Sequence, residues 1–232
     1  MSKIQPSTVT CPGCGHRSSE RLFESLNGDR IPPQVELILA GTFEQVTCSA
    51  CGLTFQPEHH MLFAQYSARI WIVMYPLAAR GGYAELETQI ARILEDNFAG
   101  APPAVEGGLR GVRPRLVFGQ YGLAEALRAQ RAAIDPPLLE CAKLLAYRGN
   151  LSQLFAVGPS ELVFERTTAT HAGELVFGVR ALATGQRLGE LTVPGKLLGD
   201  TQQQLPALRQ SHPDLFERPY VSALRYLYAG QL

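Results

Sequence analysis

The sequence predicts an α+β protein. Two cysteine pairs sit among short β-like pieces near the N-terminus, a helical apolar period begins after Gly81-Gly82, and three strand-like runs separated by turns fill the last third. The expected architecture is a zinc-ribbon-like antiparallel sheet with an inserted segment, followed by helices and a second antiparallel sheet.

Thr8-Val9-Thr10 leads into Cys11-Pro12-Gly13-Cys14, and Phe43-Glu44-Gln45-Val46-Thr47 leads into Cys48-Ser49-Ala50-Cys51. A two-residue gap lets a tight turn aim both sulfurs at one metal, and Gly15 and Gly52 let the backbone turn beneath it. The 33 residues between the pairs exceed what a compact finger needs. Within them Val35, Leu37, Ile38 and Leu39 suggest a turn of helix opened by Pro32-Pro33 and closed by Gly41, a folded excursion from the ribbon. Leu53 to Gln56, Met61 to Gln65 and Arg69 to Tyr75 read as further strands, the last two joined around Tyr66-Ser67-Ala68. Trp71, inside an apolar run ending at Pro76, belongs to a buried strand.

Tyr83, Leu86, Ile90, Ile93, Leu94 and Phe98 then recur at helical spacing and predict an amphipathic helix of about four turns. Glycine and proline dominate residues 99–114, which read as a linker between a metal-bearing region, 7–98, and an α+β C-terminal region, 115–232. Arg115 to Phe118 is β-like, Leu123, Leu127 and Ile134 mark an intermittent helical stripe, and a second helix starts at Asp135-Pro136 and ends at Gly149-Asn150. Glu161 to Arg166, Glu174 to Leu182 and Leu188 to Val193 form the expected meander. A helix from Lys196 to Gln210, interrupted near Pro206, and a terminal helix from Pro219 to Ala229 complete the chain.

Four soft thiolates complete a tetrahedron, so Cys11, Cys14, Cys48 and Cys51 are expected to hold one structural Zn(2+) with no position open for water. Cys141 stands alone in an apolar context and reads as a core thiol. His59-His60 are expected at the surface or behind the ligands, and His16 beside the first pair. His171 and His212 have no serine or acidic residue forming a triad with them, so no catalytic residue is assigned. The rival reading is an enzyme or small-molecule binder with an interdomain cleft lined by His59, His60 and the arginines Arg110, Arg113 and Arg115.

The 232-residue chain balances 21 basic against 21 acidic residues, so no overall field favours nucleic acid or an anionic membrane. Residues 1–60 carry four basic side chains against six acidic ones, and a tetrathiolate zinc adds a formal charge of about minus two, which makes the ribbon a poor phosphate attractor. A protein partner is the better expectation. The N-terminus lacks the apolar segment of a secretion signal and no stretch has a membrane span's length, so a cytoplasmic location is expected, where paired cysteines stay reduced and act as ligands.

These residues resemble the bacterial and archaeal CpXC family, named for its cysteine-proline-x-cysteine signatures. Cys11-Pro12-Gly13-Cys14 carries the signature in full, while the second pair keeps the cysteines and places Ser49 at the proline position. The likeness extends through Gly41-Thr42-Phe43, Ile70-Trp71-Ile72 near Pro76, Arg115 to Gly119 and Leu138 to Lys143, roughly residues 7–150. The resemblance implies a metal-binding domain and supplies no catalytic residue.

Overall fold

A computed structural model describes residues 2–98, 112–169 and 173–229. Most of the expected linker, and with it Arg110 and His171, lies outside the described residues. The chain divides into two compact units, Met1–Pro76 with Ala84–Ala124, and Leu77–Tyr83 with Glu125–Leu232.

The N-terminal unit is built on a five-stranded sheet. Strands β1 (Lys3–Thr10) and β2 (Arg17–Asn27) form an antiparallel hairpin that closes at Thr10 opposite Arg17. The chain then passes through helix α1 (Pro32–Ala40) and the small pair β3 (Val46–Thr47) and β4 (Thr54–Phe55), and returns as β5 (Met61–Gln65) parallel to the end of β2. Strand β6 (Ile70–Tyr75) runs antiparallel to β5. Helix α2 (Tyr83–Phe98) follows, and β7 (Pro114–Phe118) lies parallel to β6, giving the order β1-β2-β5-β6-β7.

The sheet is therefore mixed, not purely antiparallel. A parallel neighbour requires a crossover, and the segments carrying α1 and α2 provide the two that this sheet needs. For the same reason Arg115 to Phe118, assigned by sequence to the C-terminal region, is a strand of the N-terminal sheet. Helix α1 shows the expected punctuation: prolines occupy its first positions, and Gly41, at φ 72°, sends its N–H back to Ile38 O. The apolar run of β6 is buried throughout its centre, and Trp71 is 1% exposed. Phe43, Met61, Phe63, Ile72, Ile90, Leu116 and Leu123 are buried in the same unit.

The division between units falls within helix α3 (Gly119–Arg131). In the C-terminal unit α4 (Pro136–Gly149) begins after Asp135, as the sequence indicates, and is followed by α5 (Leu151–Ala156). Strands β8 (Ser160–Thr167), β9 (Leu175–Ala181) and β10 (Arg187–Val193) form the expected antiparallel meander in the order β10-β9-β8. Leu139, Tyr147, Leu162, Phe164, Phe177 and Leu191 contribute to its apolar core. Helix α6 (Lys196–Ser211) runs through Pro206 without ending.

The terminal helix expected over 219–229 is reduced to a single turn, α8 (Leu224–Leu227), and a further single turn, α7 (Asp214–Glu217), precedes it. Its backbone groups are taken by side chains instead: Ala223 N–H donates to Glu140 Oε2 at 2.8 Å, and Arg225 Nε donates to Tyr220 O at 2.9 Å. No helix among the described residues is long and apolar enough to cross a membrane.

Candidate metal centre

Each cysteine pair is the turn of a hairpin. Cys11 N–H donates to His16 O at 2.8 Å and Gly15 N–H to Cys11 O at 2.9 Å; in the second turn Cys48 N–H donates to Leu53 O at 2.9 Å and Gly52 N–H to Cys48 O at 2.9 Å. The two turns thus repeat one hydrogen-bond pattern, residue for residue. Gly15 and Gly52 both stand at φ 73°, with open space where a Cβ would stand, so backbone conformation and not crowding requires glycine there.

The turns face one another. Cys11 Sγ lies 3.7 Å from Cys51 Sγ, Cys14 Sγ lies 3.6 Å from Cys48 Sγ, and all four sulfurs fall within 4.8 Å of one another. A tetrahedron with metal–sulfur bonds of about 2.3 Å has edges of about 3.8 Å, so both cross-turn distances are close to those of a four-sulfur shell around one ion. They are far longer than a disulfide, about 2.0 Å, and all the cysteines are free thiols. Cys11 and Cys48 are buried while Cys14 and Cys51 face outward. Leu53 of the second turn lies over the first: a side chain placed on Gly13 would meet Leu53 Cδ2 at 2.9 Å.

Backbone N–H groups support thiolate character. Hydrogen bonding from Ala50, joined by the Cys51 amide and the Cys14 and Cys11 thiols, overcomes burial and lowers the Cys48 pKa to about 6. Cys14 receives the His16 amide, which acts the same way, but the Cys51 thiol, burial and the Cys48 and Cys11 thiols prevail and raise it to about 12. At Cys51 the Leu53 amide favours the thiolate, yet burial and the Cys11 and Cys48 sulfurs raise it. A sulfur at Cys48 that favours the thiolate, beside Cys14 and Cys51 that favour the thiol, is a set that a soft cation would complete by taking up sulfurs as they lose their protons. Cys141 differs: fully buried at the centre of a small apolar cluster, it is pushed up to about 11 by burial first and then by Glu140 and Asp135.

A family model described as CpXC protein matches residues 9–143. The chain belongs to the CpXC family. The match takes in both cysteine turns, strands β2 and β5–β7 of the mixed sheet and most of α4; most of β1 and the meander β8–β10 lie beyond it. No curated protein and no solved structure matches the chain.

In this CpXC chain the other expected residues are dispersed. His16 does lie by the cysteines, its Nε2 3.3 Å from Ser49 Oγ, so the serine at the signature's proline position links one turn to the other. His59 instead donates from Nε2 to Glu44 Oε2 at 2.7 Å, and the His60 ring packs at a tilt against Tyr75 with centroids 4.6 Å apart. His212 is in the C-terminal unit beside Ser211 Oγ, at 2.7 Å, and the Tyr226 ring. Sequence reasoning missed the strand Arg17–Asn27. The signal was available: a metal turn is a hairpin turn, so a strand must return from it. It also missed Glu44, whose side chain is 6% exposed and whose partners, Phe23 and His59, are distant in sequence.

Proposed function

We propose that this chain holds one structural Zn(2+) between Cys11, Cys14, Cys48 and Cys51 and acts as a protein-interaction module or accessory subunit. The observation that carries the reading is the pairing of sulfurs across the two turns at 3.6 and 3.7 Å, which suits a tetrahedral, soft-ligand ion. Four thiolates leave no site for an activated water, so the ion's role is to join two hairpins. In small modules such binding is coupled to folding by ~10 kcal/mol or more.

Charge supports a protein over a nucleic acid as partner. Six acidic side chains against four basic ones in residues 1–60, with the formal charge of the tetrathiolate added, oppose phosphate. Leu53, 41% exposed beside the cysteine turns, and the largely exposed edge strand β1 offer apolar and backbone contacts. A reducing, cytoplasmic compartment suits the four free thiols.

The test is recovery of the intact protein from its native cell beside a Cys11→Ser control. A stoichiometric protein partner that stays with the zinc-loaded chain and is lost with the variant is the expected result. Tight, zinc-dependent binding to generic DNA or RNA near physiological salt, with no protein partner, would contradict it.

A further inference from the structure

The second cysteine turn stands on the shortest strand ladder among the described residues. Only Val46–Phe55 and Thr47–Thr54 pair beneath it, whereas the first stands on pairing that runs from Thr10–Arg17 to Lys3–Ser25. Two residue pairs do not fix a hairpin's orientation in water. Something else holds its neck, where Phe43-Glu44 enter and Gln56 to His59 leave.

Several hydrogen bonds meet there: Gln120 accepts from Gln56 Nε2 at 3.0 Å and donates to Pro57 O at 3.4 Å, and three more bind the entering segment. Gln56 Nε2 donates to Phe43 O at 2.8 Å, His59 Nε2 donates to Glu44 Oε2 at 2.7 Å, and Phe23 N–H of β2 donates to Glu44 Oε1 at 2.6 Å. The Phe23 and Phe43 rings lie alongside, with centroids 5.7 Å apart. Glu44 adopts φ 51°, a left-handed conformation that suits glycine and strains a side-chain-bearing residue. A glutamate kept in that conformation, with both carboxylate oxygens engaged, has its value in the side chain. Both ring nitrogens of His59 face acceptors, since Nδ1 lies 3.0 Å from His60 O, and only the imidazolium donates from both.

We propose that Glu44 and His59 form a clasp that sets the second cysteine turn against β2 and thereby governs how firmly the four-cysteine site retains its metal. They are positioning residues, and the proposal rests on the metal reading above. The clasp closes the neck of the hairpin across its base and ties that base to the strand that carries the first turn.

Its charge state follows from its neighbours. Burial opposes the His59 charge, but the Glu44 hydrogen bond and carboxylate, helped by the His60 carbonyl, outweigh it and raise His59 above its ordinary range. Facing the pair is His60, depressed by burial and by His59 and favoured by Glu24, which is itself paired with Lys3 at 2.6 Å. Because the folded-state value is raised, the charged clasp is complete below about pH 6.5 and is lost as pH rises through the raised value.

The test uses the zinc-loaded full chain and times transfer of zinc to excess 4-(2-pyridylazo)resorcinol for the wild type, Glu44→Gly and His59→Gln. Glu44→Gly relieves the backbone yet removes the clasp, and about tenfold faster release is expected. His59→Gln keeps a donor without the charge, so its release rate relative to wild type should be highest near about pH 6 and fall toward one by about pH 9. The ratio cancels changes in the chelator and the cysteines, and this variant carries the test if Glu44→Gly fails to fold. Unchanged or slower release from Glu44→Gly, or a ratio flat with pH, overturns the clasp alone. A wild-type chain that carries no zinc overturns the metal reading and the clasp together.

Discussion

At the second cysteine turn two residue pairs, a carboxylate clasp and two thiols have to hold a hairpin in place. In the C-terminal unit the meander β8–β10 rests on a continuous apolar cluster, and the same unit holds buried ion pairs. There Lys143 Nζ lies 2.7 Å from both Glu125 Oε1 and Glu140 Oε1, and Arg80 Nη2 meets both Glu161 oxygens at 2.9 and 3.0 Å. Burial opposes the Lys143 charge, yet the two carboxylates outweigh it and hold the ammonium protonated; burial, aided by Glu140, raises Glu125 against the pull of Lys143. The contrast sets two substitutes for missing order side by side: where apolar surface is scarce four cysteine sulfurs compatible with a metal site converge, and where it is plentiful buried charges fix which elements meet. Glu125 accepts the Phe164 N–H of β8, and Glu140 accepts the Ala223 N–H of the terminal segment, so one lysine organises both.

The sharpest way to break this contrast is to strip the metal. With ~10 kcal/mol or more of coupled binding energy removed, hydrogen exchange should show the amides of residues 43–59 losing protection while those of β8–β10 keep theirs. Equal loss in both regions would mean that the ion supports the whole chain. A smaller effect is expected from the other side: Lys143→Met leaves two buried carboxylates unpaired and should cost about 3–5 kcal/mol in urea unfolding, with zinc content unchanged. Loss of zinc from that variant would tie the two regions together. Smallest is Cys141→Ser, which places a hydroxyl in an apolar cluster at a cost of about 1–3 kcal/mol and should leave the metal bound. Metal loss there would make Cys141 part of the centre.

Legibility in the sequence follows how local the physics is. The cysteine turns could be read because spacing and glycine encode a turn within six residues, and the meander because alternation and turn residues are local too. The mixed pairing of β2 with β5 could not be read, since it depends on where a crossover of more than thirty residues returns the chain. Likewise β7 was separated from its sheet because α2 and a glycine- and proline-rich stretch intervene. The shortened terminal helix reflects a tertiary competitor, Glu140, for the Ala223 amide. Glu44 was the least visible, because neither its left-handed backbone nor its distant partners leave a pattern in neighbouring residues.

Metal analysis by native mass spectrometry of the purified chain tests the central claim most directly. One zinc per wild-type chain is expected, retained by Cys141→Ser and lost by Cys48→Ser. A wild-type chain that is folded and metal-free, or a Cys48→Ser chain that keeps its zinc, would contradict the account.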